Sequence, residues 1–280
     1  MTYKELLHMP LDNGVNIAYR LSHPIDKSLE TIVMHHAFLM NSRFYDQQFK
    51  DTRYANYNLI SIDAHGHGET TGRGDKFTFW DTASDSLQLL TKLGVDRFYA
   101  MGTTQGASIA LRMALLEPQR VKGLILLATT VYATPEQARI NAGKGRAKWC
   151  ETKIPSDEAI TMRAGSFGGP TRINEKVFEK LKEMWIQRHA GAEGYDPALN
   201  CLLDRDAIDD QLDKITMPTM VLHGSEDRII TTDEVNMWVP KLPNLWKFLV
   251  VERGVHHLPL TEPGNDVAAD LITQFIKETS

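Results

Sequence analysis

Short apolar runs and amphipathic segments alternate along the first 130 residues of the chain. Residues 31–34 and 58–62 are apolar runs without alternating polarity, a pattern typical of parallel strands covered on both faces. Leucines at helical spacing over residues 81–93 stop at Gly94, which predicts a helix. Asp12-Asn13-Gly14 separates two runs near the start and predicts a β-hairpin turn. Further elements are expected at 97–101 (strand), 108–116 (helix) and 123–128 (strand).

A different pattern occupies residues 131–211, where no convincing strand is found. Helix starts are predicted at Thr134-Pro135 and at Ser156, a charged helix over 174–189, and a flexible loop over 165–170. After Pro218 the alternation returns, with strands expected at 219–222 and 247–251 and helices at 233–239 and 267–276. The sequence therefore predicts an α/β core, residues 1–130 and 212–280, interrupted by a helical cap, residues 131–211.

Composition narrows the class of partner. The chain has 280 residues with 24% charged and 42% hydrophobic positions, which is typical of a globular protein. A net charge of −5 argues against nucleic acid, and no apolar run approaches the roughly 20 residues that cross a bilayer. The first residues do not resemble a secretory leader, and the two cysteines lack the spacing of a metal site. We expect a cytoplasmic protein that binds a small-molecule substrate, and a homo-oligomer stays open.

The strongest chemical signal lies between a predicted strand and a predicted helix, in residues 101–107. Gly102 and Gly106 flank Thr104 two residues away on either side, as a sharp strand-to-helix turn requires, since larger side chains would collide there. Such a turn exposes the Thr104 hydroxyl above the sheet. The start of the following helix, with the Gln105 N–H, favours a developing negative charge.

Four other segments follow predicted strands, and the first three of them named below carry candidate site residues. Residues 222–227 end in Asp227, and residues 254–263 contain His257 in an H-x-P-x-x-E pattern. Residues 34–42 contain His36 and Phe38, with Ala37 between them. Residues 63–68 form a loop that begins with an aspartate, in which a histidine stands at the third position.

With these segments, in this order, the chain resembles the α/β-hydrolase superfamily, in particular its capped, cofactor-free esterases, lactonases and C–C hydrolases. The resemblance implies that Thr104 stands at the nucleophile position, which is usually serine, with Asp227 as the acid and His257 as the base. It also implies that the backbone N–H groups of Phe38 and Gln105 form the oxyanion hole. No cofactor or metal is implied.

Two of these assignments have an alternative residue. His256, beside His257, is the main alternative base, and Glu226, beside Asp227, is the alternative acid. The histidines at 65 and 67 lack the aspartate and third histidine of a metal-hydrolase motif, so no metal site is expected. Cap aromatics and one core histidine are candidates for the substrate pocket: His36, Tyr132, Trp149, Phe167 and Trp185.

The sequence thus predicts a hydrolase that acts on the carbonyl of a small to medium apolar ester, lactone or thioester, with a threonine nucleophile. Because the extra methyl of Thr104 restricts its rotamers, we expect slower or more selective turnover. Alternatives remain open. One is a cofactor-free lyase, decarboxylase or oxygenase in which the histidine–aspartate pair is a base and Thr104 only orients substrate. The others are a C–C bond hydrolase and a ligand-binding protein without turnover.

Overall fold

A single eight-stranded sheet forms the centre of the molecule. The computed structural model describes residues 5–165 and 175–280. The sheet order is β1-β2-β4-β3-β5-β6-β7-β8; β2 pairs antiparallel with both β1 and β4, and all other neighbours are parallel. This arrangement confirms the predicted mostly parallel α/β fold. The strands are β1 Leu7–Pro10, β2 Asn16–Leu21, β3 Glu30–His35, β4 Tyr57–Ile62, β5 Phe98–Thr103, β6 Val121–Leu127, β7 Thr219–Gly224 and β8 Leu245–Val251.

Eight α-helices accompany these strands in the described parts of the chain. Four of them, α1, α2, α7 and α8, belong to the strand–helix alternation, and α3 to α6 lie between β6 and β7. Their bounds are α1 Phe79–Lys92, α2 Gln105–Leu116, α3 Glu136–Trp149, α4 Asp157–Ala164, α5 Glu175–His189, α6 Gly191–Leu203, α7 Thr232–Trp238 and α8 Gly264–Thr279.

Both faces of the sheet are buried, which explains the apolar runs without alternation. In β3, Val33 belongs to the hydrophobic cluster that includes α1 and α2. Ile32 and Met34 point into a second cluster that includes Phe275 of α8. Successive strand residues therefore enter opposite clusters, and each must be apolar.

The parallel strands bring several chain segments to one edge of the sheet. His35 at the end of β3 is in register with Gly102 of β5, and Gly224 of β7 with Val251 of β8. The loops that follow these strands start at the same edge, where open α/β sheets commonly bind ligands.

The helices α3 to α6 pack on that edge. The Trp185 indole N–H donates to the Leu39 carbonyl at 2.9 Å, and this bond ties α5 to the loop after β3. The described residues between β6 and β7 contain no strand, in agreement with the expectation for the cap. The division into core and cap at residues 131 and 211 remains a prediction. Most of the loop expected at 165–170 falls outside the described residues.

No helix in the described ranges is both long and apolar enough to cross a bilayer.

Gly106 allows α2 to pack directly against the end of β3. A Cβ at this position would lie 1.9 Å from the carbonyl oxygen of His35, far inside van der Waals contact with backbone that cannot move freely. Gly143 in α3 is the contrasting case, because a Cβ there meets nothing within 4 Å.

We expect Gly106→Ala to lower the free energy of unfolding by more than about 3 kcal/mol, or to prevent folding, because helix and strand must separate. Gly143→Ala is the matched control and should raise stability by about 0.5–1 kcal/mol, since alanine favours helix. Urea unfolding followed by circular dichroism measures both. Equal effects of the two substitutions would contradict this account of the close approach.

Candidate active site

Thr104 occupies a strained turn between β5 and α2. Its φ of 52° and ψ of −112° are rare for any residue with a side chain and especially unfavourable for a β-branched one. Four hydrogen bonds fix the backbone. The Thr104 N–H donates to the Leu127 carbonyl at 2.9 Å, and the Thr104 carbonyl accepts from the Ala107 N–H and the Thr129 hydroxyl, both at 3.1 Å, and from the Ser108 N–H at 3.2 Å. Strain held in this way at a strand–helix junction is typical of a functional position.

The Asp227 carboxylate is hydrogen-bonded to a histidine, but that histidine is His256. Asp227 Oδ2 lies 2.7 Å from Nδ1 of His256, and both side chains are at most 5% exposed. The sequence predicts that Asp227 pairs with the next residue along the chain, His257. The aspartate–histidine pair that the structure brings together is therefore Asp227–His256, and the assignment of His257 is corrected accordingly.

Two neighbouring turns hold this pair in place. The Glu226 N–H donates to the Gly254 carbonyl at 2.8 Å, which joins the turn after β7 to the loop after β8. A Cβ on Gly224 would lie 2.4 Å from the same carbonyl oxygen, so only glycine allows this approach. The aspartate and histidine thus come from separate strands whose connecting loops are in direct contact.

Asp227 is set up to remain ionised. Burial by itself raises the pKa of this carboxyl group, but the opposing attraction and hydrogen bond of His256 and the N–H groups of Ile229 and Ile230 outweigh it, so that the pKa of Asp227 falls below its ordinary value. A charged carboxylate at Nδ1 keeps the proton on that nitrogen and leaves Nε2 of His256 as the proton acceptor.

His257 lies against the same site with its ring turned differently. Its ring packs edge-on against that of His256, with centroids 5.0 Å apart and an interplanar angle of 86°. It also contacts Phe44, with centroids 5.8 Å apart. The H-x-P-x-x-E spacing fits His257 and not His256, but it gives no information on which ring faces Asp227. Both histidines directly precede a short 3₁₀ turn, Leu258–Leu260.

The loop after β3 presents the Phe38 backbone to the site. No hydrogen-bond acceptor for the Phe38 N–H is found in the described ranges. Its neighbour Leu39 has a φ of 58°, a second strained position. Gln105 is the first residue of α2, so its N–H has no acceptor within the helix. These two N–H groups are the ones expected to form an oxyanion hole.

A group of buried histidines supports this loop. His36 donates from Nδ1 to the Ala37 carbonyl at 2.8 Å and accepts at Nε2 from the Ala64 N–H at 3.0 Å. His67 lies 3.4 Å from the Gln105 side-chain amide, and its ring contacts His36. These contacts link the loop after β4 to both expected oxyanion donors.

Thr104, His256 and His257 share one cavity of about 230 Å³ between the sheet edge and the α3–α6 helices. Its volume is below the range common for drug-sized ligands, which favours a small substrate. Other lining residues are mainly apolar or hydroxyl-bearing, with three charged exceptions. They are Phe38, Gln105, Ser108, Thr129, Thr130, Thr134, Pro135, Ala138, Ala142, Arg163, Leu202, Leu203, Arg205, Ile229, Ile230 and Glu234.

Four of the predicted pocket residues have other roles in the structure. Trp149 and Trp185 are buried where the cap helices pack together and against the core, and the Trp149 indole N–H donates to the His189 carbonyl at 2.7 Å. His36 is fully buried below the Phe38 loop, and the Tyr132 carbonyl accepts from Arg205. None of these four is among the described residues that line the cavity. Phe167 lies outside the described residues.

The cavity residues that the sequence missed carry no motif. Thr129 and Thr130 follow β6, while Arg163 and Arg205 lie in or just after cap helices. The only signal available was position, since residues just past a parallel strand tend to face this edge. Among residues 5–165 and 175–280, no three His, Cys, Asp or Glu side chains are grouped so as to hold a metal ion.

Comparison with known proteins identifies the family and the fold. Residues 30–263 match the sequence model of a family described as alpha/beta hydrolase fold. A non-heme haloperoxidase of Rhodococcus erythropolis is 24% identical over 252 residues, which cover 86% of this chain and 90% of the relative. A thermophilic esterase from Thermogutta terrifontis superimposes with a TM-score of 0.79 at 20% identity, over 98% of this chain and 99% of that one. An enol-lactonase from Burkholderia xenovorans gives 0.75 at 16% identity, over 97% and 100%.

The buried histidines make stability depend on pH. Burial lowers the pKa of His35 and of His189 to about 3, and lowers that of His67 well below its ordinary value. In the unfolded chain these groups titrate near pH 6.5. Between the two values the unfolded state binds more protons, so the free energy of unfolding falls as pH decreases.

We expect the free energy of unfolding to fall between pH 6 and pH 4 by about 1.4 kcal/mol per pH unit for each such histidine. Urea unfolding across this range measures the slope. His189→Gln should reduce the slope by about 1.4 kcal/mol per pH unit, the contribution of one buried imidazole. A flat profile for the parent protein would show that these imidazoles are not kept neutral by burial.

Proposed function

Because the chain belongs to the alpha/beta hydrolase family and is an enzyme of that family, we propose that it hydrolyses a small to medium ester, lactone or thioester through a covalent acyl intermediate on Thr104. The proposal depends on one observation: His256, hydrogen-bonded to the buried Asp227, lines the same cavity as the strained Thr104 turn. Relatives named as an esterase and an enol-lactonase have the same fold and support carbonyl chemistry.

In the first half of the reaction Thr104 is the nucleophile. His256 accepts the hydroxyl proton at Nε2 while the Thr104 oxygen forms a bond to the substrate carbonyl carbon. Asp227 stabilises the imidazolium that results, since its low pKa keeps it charged. The imidazolium then returns the proton to the departing alcohol, thiol or lactone oxygen, and the acyl group remains on Thr104.

The oxyanion that forms in this step needs donors fixed in advance. The Phe38 and Gln105 N–H groups are suited to this role, because they belong to rigid segments held by His36 and His67. Each such donor is worth about 2.7–4 kcal/mol of transition-state stabilisation. In the second half of the reaction water attacks the acyl group, with His256 again as base, and the free acid leaves.

We expect the threonine at position 104, where serine is usual, to slow the hydrolysis. At φ 52° the β-branch restricts the side-chain rotamers and places a methyl group beside the reacting oxygen. The methyl group narrows the approach of substrate, so we infer a slower and more selective enzyme than one with serine at this turn.

We expect Thr104→Ala to lower kcat/KM for acyl esters by about 10³-fold or more, because the nucleophile is lost. Thr104→Ser should retain or exceed the parent rate, since it keeps the hydroxyl and relieves the crowding. A panel of 4-nitrophenyl esters and lactones measures both, and mass spectrometry after a rapid acid quench should find the acyl group on the peptide that contains Thr104.

The same variants distinguish covalent hydrolysis from the alternatives that need only a base, namely a lyase, a decarboxylase or a cofactor-free oxygenase. Such chemistry needs only the histidine–aspartate pair, so Thr104→Ala would retain most activity on the true substrate while His256→Ala would abolish it. That pattern, with no acyl adduct, would overturn covalent catalysis by Thr104.

A further inference from the structure

Two arginines in the cavity wall distinguish this site from a purely apolar acyl pocket. Arg163 comes from α4 and Arg205 from the segment after α6, and both line the cavity that contains Thr104. Guanidinium groups are costly to desolvate, so their place beside a reaction site calls for an explanation in terms of charge.

Within residues 5–165 and 175–280, Arg205 has no acidic partner at bonding distance. Its Nε donates to the Tyr132 carbonyl at 3.0 Å and its Nη1 to the Leu202 carbonyl at 3.1 Å. Among the described residues, no carboxylate lies within 4 Å of this guanidinium and Nη2 makes no hydrogen bond. Arg112, on the core beneath, is the contrasting case, because its Nη2 is 2.6 Å from Asp206 Oδ1.

The surroundings of Arg205 leave its charge incompletely balanced. Desolvation lowers the pKa of Arg205 to about 10, partly offset by Glu234, so the side chain is cationic at neutral pH. Glu234 is the only carboxylate among the described residues that line the cavity, against two guanidinium groups. Asp227 is fully buried behind His256 and is already hydrogen-bonded to it.

Arg163 places a second positive charge next to the expected oxyanion donor. Its guanidinium carbon lies 4.7 Å from the centre of the Phe38 ring, and its Nη2 is 3.4 Å from the Phe38 carbonyl. The positive field therefore extends from the Arg205 side of the cavity to the Phe38 segment.

We propose that the enzyme acts on substrates that carry a carboxylate besides the reacting carbonyl, and that Arg205 binds this carboxylate through Nη2. This inference rests on the proposed acyl hydrolysis, and it replaces the apolar substrate that the sequence predicted with an anionic one. A planar carboxylate fits the guanidinium fork, and the bond is charge-assisted. The other lining residues around it, among them Ala138, Ala142 and Leu203, suit a short aliphatic chain.

The test compares two esters that differ only in charge. The 4-nitrophenyl monoester of glutaric acid carries a free carboxylate, and the 4-nitrophenyl methyl diester of the same acid is its neutral partner. We expect the parent protein to have about ten- to a hundredfold higher kcat/KM for the monoester, the range of one charge-assisted hydrogen bond.

Arg205→Gln should bring this ratio close to one, mainly through a higher KM for the monoester, and Arg205→Lys should keep part of the preference. Because Arg205 also bonds to two carbonyl oxygens, thermal melting of each variant verifies that it is folded. Arg97→Gln is the control: Arg97 is exposed, just before the start of β5 and at the opposite end of the sheet, and its substitution should leave the ratio unchanged.

Ligand binding to a variant without turnover tests the carboxylate site independently of the proposed hydrolysis. Isothermal titration of Thr104→Ala with monomethyl glutarate and with dimethyl glutarate should show tighter binding of the anion, and Arg205→Gln in that background should remove the difference. Hydrolysis of both esters with equal kcat/KM, together with equal binding, would overturn the carboxylate site while leaving acyl hydrolysis intact. Anion binding without hydrolysis of either ester would instead overturn the hydrolase.

Discussion

The hydrogen bond between Asp227 and His256 is the interaction on which the chemistry of the site depends. It joins two residues that are 29 positions apart and that follow different strands. Its geometry is set by the contact between the turn after β7 and the loop after β8, which needs glycine at 224 and 254. Without this bond the imidazole would have neither a fixed tautomer nor a charged partner, and the mechanism proposed for Thr104 would lose its base.

Two further constraints complete the arrangement. The turn at Thr104 is strained and is held by hydrogen bonds to Leu127, Ala107 and Thr129. The loop with Phe38 is held on the core side by buried, neutral histidines, among them His36, and on the side of α5 by the bond from the Trp185 indole to the Leu39 carbonyl. The site is therefore preorganised by groups that do not react, and the burial that keeps the histidines neutral makes the fold sensitive to acid.

Much of the fold could be predicted from sequence because the apolar pattern is a direct consequence of burial. The strand around Ile32 to Met34 is apolar throughout since its residues enter two different clusters, and the glycines at 102 and 106 follow from a turn too tight for side chains. The same turn pattern pointed to Thr104, and the resemblance to the hydrolase superfamily pointed to Asp227. The H-x-P-x-x-E spacing selected His257 over its neighbour, whereas the ring that meets Asp227 is that of His256, because spacing along the chain does not give the direction of a ring.

The cavity wall was harder to predict for a related reason. Trp149 and Trp185 were chosen as large aromatics in an amphipathic cap, yet such residues serve first to bury the cap against the core, and both are buried there. Arg205 was missed since a single arginine in a polar segment has no distinguishing pattern. Its significance comes from what surrounds it, which only the assembled structure shows.

Covalent labelling by a fluorophosphonate is the decisive measurement, because this reagent reacts rapidly with a hydroxyl that a neighbouring base activates. We expect one phosphonyl adduct, on the peptide that contains Thr104, formed at a rate that falls by about a hundredfold or more in His256→Gln and far less in His257→Gln. Loss of labelling in His257→Gln with retention in His256→Gln, or an adduct on another residue, would contradict it.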